Sequence, residues 1–210
     1  MKPKYNHFLR VAFPSLIILP AMAQMASAAA IMPDGAGNVL ITTTGESGAN
    51  NIVVPLGQPP AFSPFEIRLD PNAFLTPAGA ASIDVQDTAA TYTVNMGAGS
   101  SIDAGPNDGI TSAAANLTVN SNGTISGANG ISGVTPGIIN VVNNSSITGT
   151  AGSGISTTGS LNLTNNFLQP SDIPMTVLGS VNGVSAGDAS SILNSGSIIG
   201  QSGDGVIVGN

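Results

Sequence analysis

Cysteine and tryptophan are absent from this 210-residue chain, and only 7% of its residues are Asp, Glu, Lys or Arg, against about 25% in an ordinary soluble domain. Positive charge is scarcest. The basic residues are Lys2, Lys4, Arg10 and Arg68, and the one histidine is His7. Beyond residue 30, eleven acids face Arg68 alone, which leaves a net charge of −10 and no Lys, His or Cys. Each absence excludes a chemistry. Without imidazole there is no Ser-His-Asp or Cys-His arrangement. Without lysine there is no Schiff base, no Ser-Lys pair and no phosphate-binding P-loop. Zinc finds neither of its usual nitrogen and sulfur ligands. Nucleic-acid binding needs cations to meet phosphates, so no nucleic-acid partner is expected. The fold cannot use disulfides. Hydrophobic residues still make up 41% of the chain, enough for the core of one domain.

The three basic residues at the start precede an apolar run over 11–23, then the small residues Ala26-Ser-Ala-Ala-Ala30. A basic flank, a short apolar stretch and an Ala-x-Ala end describe a secretory signal peptide. The run is too short to span a bilayer, and Pro14 and Pro20 interrupt it. Residues 1–30 are therefore read as a leader, cut near residue 28 or 30, and the chain as exported through the inner membrane.

Once the Gly-Ile steps are aligned, the remainder repeats itself. Ser101-Ile102, Thr124-Ile125, Ser146-Ile147, Thr176-Val177 and Ser197-Ile198 each precede a short spacer. A second anchor then follows glycine, at Ile110, Ile131, Ile155, Val184 and Val206. The steps between second anchors are 21, 24, 29 and 22 residues, the longest being explained by an insertion around Phe167–Pro174. A third apolar pair precedes each motif: Tyr92/Val94, Leu117/Val119, Ile139/Val141, Leu161/Leu163 and Ile192/Leu193. Each unit thus holds three short alternating segments separated by Gly, Asn and Ser turns, with no helical period.

One such unit cannot bury its apolar side chains. Coiled into a turn and stacked on its neighbour at about 4.8 Å, it can. This predicts an all-β, parallel β-helix (a solenoid) over 91–210, with Ile102, Ile125, Ile147, Val177 and Ile198 as one interior column. Ile110, Ile131, Ile155, Val184 and Val206 form another. The glycine before each second anchor is expected to serve positive φ or close backbone approach. Asn and Ser at 121–122, 143–144 and 194–195 are expected to form a hydrogen-bonded ladder. Residues 31–90 fit the repeat poorly and predict an irregular N-terminal cap. Within it, Phe65–Asp70 reads as a strand with Phe65, Ile67 and Leu69 inward, and Asn38–Thr42 and Asn51–Val54 as weaker strands. Linkers also are rich in Gly, Ser and Asn, but they lack periodic Ile and Val.

The Asn194-Ser-Gly-Ser-Ile-Ile-Gly200 turns, the leader and the acidic, cysteine-free chain resemble the passenger domains of autotransporters, the type V secretion proteins of Gram-negative bacteria. The resemblance covers about residues 91–210. It implies a right-handed β-helix, carried to the cell surface by a C-terminal outer-membrane β-barrel. No barrel-type strands follow the repeats, so the sequence reads as an N-terminal passenger fragment. Its localisation is then the cell surface, the outer membrane or the exterior, or the periplasm without the anchor. Its partners would be cell-surface or matrix ligands, and its own translocator barrel in a full-length protein.

No catalytic, cofactor or metal site is expected. Asp108, Asn129, Asn182 and Asp204 recur before glycine, but their spacing is far from the nine-residue calcium repeat, and turn geometry is the simpler reason. Asp103–Gly109 fails the calcium-loop pattern at Gly105. Glutamates occur only at 46 and 66, and Asp84 and Asp87 are the nearest carboxylate pair. The function read from these features is structural or adhesive display along a stiff rod. The alternative is a fragment of a secreted β-helical carbohydrate-active enzyme, which would need such a carboxylate pair. The Asn116 and Asn122 glycosylation sequons follow from composition.

Overall fold

The computed structural model describes residues 32–33, 39–41, 51–54, 65–77, 79–88, 91–166, 175–188 and 190–209. The leader and the insertion 167–174 lie outside these residues, as do Phe62 and Glu46. Among the described residues every regular element is a strand.

The strands form three sheets. Sheet A contains Met32–Pro33, Val39–Ile41, Phe65–Leu69, Thr91–Met96, Asn116–Ser121, Ile138–Asn143, Ser160–Asn165 and Ser191–Asn194. Sheet B contains Phe74–Leu75, Ser101–Asp103, Thr124–Gly127, Ser146–Gly149, Thr176–Gly179 and Ser197–Gly200. Sheet C contains Ile52–Val54, Ile83–Val85, Ile110–Ser112, Ile131–Gly133, Ile155–Thr157, Val184–Ala186 and Val206–Val208. The chain visits A, then B, then C, and returns to A one rung higher. Each strand pairs in parallel with the strand one coil away. Among the described residues, only the pairing of Met32–Pro33 with Val39–Ile41 is antiparallel. This is the β-solenoid that the repeat predicts.

Alternation does the sorting. In Thr91–Met96 and Asn116–Ser121, every second residue is buried. Stacking then aligns equivalent positions. Ile102, Ile125, Ile147, Val177 and Ile198 are successive register partners. So are Ile110, Ile131, Ile155, Val184 and Val206. The inner members are almost fully enclosed: Ile110, Ile131, Ile147, Ile155 and Val177 are each 0% exposed. At about 25 cal/mol per Å² of apolar surface removed from water, these columns are the main source of stability.

The stack extends further toward the N-terminus than the repeat motif does. Ile67 and Leu69 pair with Val94 and Met96, Leu75 with Ile102, and Ile83 with Ile110. Within the segment expected to be an irregular cap, residues 65–85 thus make a coil in register with the rest. Ile67, Leu69 and Ile83 are buried as tightly as any later anchor. Their corners use different chemistry. Asn72 (φ 62°) and Gly79 (φ 86°) turn the chain in the left-handed region, where asparagine and glycine are least strained.

The glycines before the second anchors work differently. Among the described residues, positive φ at glycine is confined to Gly79, Gly99 and Gly105, so Gly109, Gly130, Gly154 and Gly183 serve close approach. A Cβ on Gly130 would lie 2.6 Å from the Gly154 carbonyl oxygen and 2.6 Å from Ile147 Cγ2. Coils pack at this corner backbone to backbone, and any side chain would wedge them apart.

Candidate functional site

With the core filled by aliphatic columns, functional groups are confined to the outer faces, the corners and a few buried polar rungs. The corner between sheets B and C carries the recurrent Asp or Asn. Asp108 Oδ1 accepts hydrogen bonds from the backbone N–H of Asn129 (2.9 Å) and from its Nδ2 (3.0 Å). Asn129 Oδ1 accepts from the N–H of Ser153 (2.8 Å), and Asn182 Oδ1 from that of Asp204 (3.0 Å). Each side chain therefore clips the next coil by a backbone donor, which is a reason for Asp or Asn at these positions without any ion. Asp103 Oδ1 similarly accepts from Gly105 N–H at 3.2 Å.

The asparagine ladder is two ladders. One is internal: Ser121, Asn143, Asn165 and Asn194 are register partners, and the first three are 0% exposed. Asn143 Nδ2 donates to Asn165 Oδ1 (2.8 Å), and Asn165 Nδ2 to Asn194 Oδ1 (2.7 Å). The other ladder lies one residue on, at the surface. Asn144 Nδ2 donates to Asn122 Oδ1 (2.9 Å), and Asn166 Nδ2 to Asn144 Oδ1. The sequon asparagine Asn122 is a rung of this outer ladder, and its own Nδ2 donates to the Met96 carbonyl (3.2 Å).

A third polar chain was not anticipated from the sequence. Asn120 Nδ2 donates to Asn95 Oδ1 (2.7 Å), and Asn95 Nδ2 to Glu66 Oε1 (2.7 Å). Its signal was present in the shared spacing of Tyr92-Thr-Val94-Asn95 and Leu117-Thr-Val119-Asn120. Glu66, Arg68, Asn95 and Asn122, with Pro71 and Met96, line a shallow outer cleft of about 380 Å³. Arg68 is the sole cation among the described residues. Its Nε lies 3.4 Å from Asp70 Oδ1, and its side chain is 55% exposed. Screening by solvent leaves such a pair worth little for stability, so the guanidinium remains available to polar ligands.

The carboxylate pair of the enzyme reading is split between two environments. Asp84 Oδ2 accepts from Gln86 Nε2 (2.8 Å) at the surface, whereas Asp87 is 3% exposed and accepts the hydroxyl proton of Tyr92. Among the described residues no three His, Cys, Asp or Glu side chains converge as a metal site would require.

No family model matches the chain, and neither a curated protein nor a solved structure matches it. Function is therefore read from the residues themselves.

The Tyr92–Asp87 contact has an electrostatic consequence. Burial, then the hydrogen bond to Asp87 and the negative charge of that carboxylate, push the Tyr92 phenol well above the ordinary tyrosine value of 10. The neutral phenol is thus favoured in the folded state more than in the unfolded one. Stability from this group is complete below about pH 10 and is lost progressively as pH climbs beyond it. In chains lacking the leader, Tyr92 is the only tyrosine, so phenolate absorbance reports it alone. Alkaline titration is expected to show no phenolate until the coil opens, with absorbance and β circular dichroism changing together. In the Tyr92→Phe variant the alkaline loss of structure should begin at higher pH. Phenolate appearing while the β signal holds would contradict this account.

Proposed function

We propose that the chain is an exported, autotransporter-like passenger segment that acts as a stiff rod in structural or adhesive display at the cell surface. The observation that carries this reading is the unbroken register of the coils. Leu75, Ile102, Ile125, Ile147, Val177 and Ile198 follow one another without slip. A stack of this kind holds its outer Ser, Thr and Asn side chains at a fixed repeat of about 4.8 Å. Repetition of this sort suits multivalent contact, in which weak sites add through effective concentration. Neutral rungs also avoid the repulsion that stacked like charges would create. The basic start, apolar run and small-residue end of residues 1–30 support export, and the lack of cysteine is compatible with crossing a second membrane unfolded. Cell-surface or matrix ligands, and the chain's own translocator barrel in a longer protein, are the partners of this reading.

Expression in a Gram-negative host tests it. With the leader present, the product is expected in the envelope fraction, with mass spectrometry placing its new N-terminus after Ala28 or Ala30. Deleting residues 1–30 should trap the chain in the cytoplasm. A full-length, uncleaved product found in the cytoplasm would overturn the export reading. For display, beads coated with the chain should adhere to matrix or cell layers more strongly as coating density rises. Binding that is absent at every density would remove the adhesive part.

A further inference from the structure

We propose that the outer cleft beside Glu66 and Arg68 binds a neutral saccharide. This gives the adhesive reading a ligand class but does not rest on it, because it concerns the cleft alone, wherever the chain is located.

The cleft lies where the sheet A face departs from its own pattern. One outward column of that face runs Glu66, Thr93, Thr118, Asn140, Asn162 and Ser191. Its neighbour runs Arg68, Asn95, Asn120, Val142, Thr164 and Leu193. Every later coil is neutral at both positions. Among the described residues, the charges of this face both fall on the strand Phe65–Leu69, and Arg68 is the one Lys or Arg beyond residue 30. The hollow beside them measures about 380 Å³, within the range of about 300–1,000 Å³ usual for small-molecule sites.

The polar groups here are held in place but not saturated. An asparagine amide offers two N–H donors and two acceptor lone pairs. Asn95 commits one donor to Glu66 and one acceptor to Asn120. Asn122 commits one donor to the Met96 carbonyl and one acceptor to Asn144. Each amide thus keeps one donor and one acceptor for a further partner. Arg68 turns its Nε to Asp70, and its two Nη groups form no ion pair among the described residues. Because the neighbouring rungs already orient both amides, little side-chain freedom is lost when a ligand binds.

Charge and shape select the ligand class. An anion drawn to Arg68 would also meet Glu66 and Asp70, on a chain with ten more acids than bases beyond residue 30. A cation drawn to those acids would meet Arg68. A flat aromatic ligand finds no aromatic ring to stack on among the described lining residues. An uncharged ligand dense in groups that both donate and accept meets none of these objections. The vicinal hydroxyls of a pyranose are such groups, spaced to bridge the N–H and C=O of one amide or the two arms of a guanidinium. The C–H face of the sugar ring would lie against Pro71.

Amide chemical shifts of the purified, isotope-labelled chain test the proposal. The probes are maltotriose, cellotriose, mannotriose and chitotriose, with trigalacturonate as the anionic comparison. At least one neutral trisaccharide is expected to bind in the millimolar range or tighter, shifting amides within 66–70, 95–97 and 122. Trigalacturonate should bind more weakly. Arg68→Ala should weaken binding about tenfold or more, the loss of one charge-assisted hydrogen bond. Asn162→Ala, on the same face but far from the cleft, should bind as the wild type does. Should Arg68→Ala fail to fold, Arg68→Lys keeps the charge without the planar fork and should still bind more weakly than the wild type. Four outcomes would each overturn the proposal: no neutral probe bound, shifts centred away from the cleft, trigalacturonate bound as tightly as the best neutral sugar, or unchanged affinity in the folded Arg68 variant. Beads that adhere to cells while the cleft binds no sugar would overturn it too, and would leave the display reading standing.

Discussion

Replacing Asn165 with alanine is expected to destabilise the fold by about 2–4 kcal/mol, because it strands several buried polar groups at once. Asn165 Nδ2 donates to the carbonyls of Met175 (3.1 Å) and Ser197 (3.1 Å) as well as to Asn194, and Oδ1 receives Asn143. An alanine satisfies none of these. Coils touch only their neighbours, so the damage should be local. Amide exchange in 191–208 is expected to accelerate far more than exchange in 91–121. The Asn165→Ser variant provides the control. Serine already occupies the equivalent rung at Ser121, where Oγ donates to the Gly123 carbonyl at 2.6 Å, so Asn165→Ser should cost less than Asn165→Ala. Equal losses in both variants, or none in either, would mean that the ladder contributes no net stability.

The second large effect is expected at the middle of the sheet B column. Ile147→Ala should cost about 2–5 kcal/mol, the sum of lost transfer energy and the cavity left between coils. Ile147 is 0% exposed, with Ile125 below it and Val177 above. Ile198 occupies the same column one rung above Val177 but is only partly buried, so Ile198→Ala should cost clearly less. The ratio of the two losses in urea unfolding is the measurement. A loss at Ile198 that equals the loss at Ile147 would refute the graded column.

The parts legible in the sequence were those that the repeat itself encodes. Ile102, Ile125 and Ile147 could be aligned because each follows Ser or Thr and precedes a second anchor that itself follows glycine. The coil 65–85 was hidden because its corners do not use that plan. Asn72 and Gly79 make the turns there through positive φ, and Leu75 follows Phe74 instead of the Ser or Thr of later first anchors, while Ile83 follows Ser82 instead of the glycine of later second anchors. The ladder was half legible. Asn143-Asn144 is visible as a pair, but splitting it into an inner and an outer rung requires knowing which side chain faces the core. Asn165-Asn166 escaped notice because residues 167–174 displace it from the following motif. Tyr92 and Asp87 were invisible as partners, since five residues of sequence spacing say nothing about a corner that folds one onto the other. The outer cleft at Glu66 and Arg68 depends on the same unrecognised coil.

The purely nearest-neighbour pairing of coils has a mechanical consequence. Tension applied to the chain beyond Val208 would load the hydrogen bonds of one rung at a time and peel the stack at low, repetitive force. The same load applied across the axis would be shared by every rung in shear. A rod built this way resists sideways drag far better than it resists being unwound from its tip, so the tip is where protection against unravelling matters most.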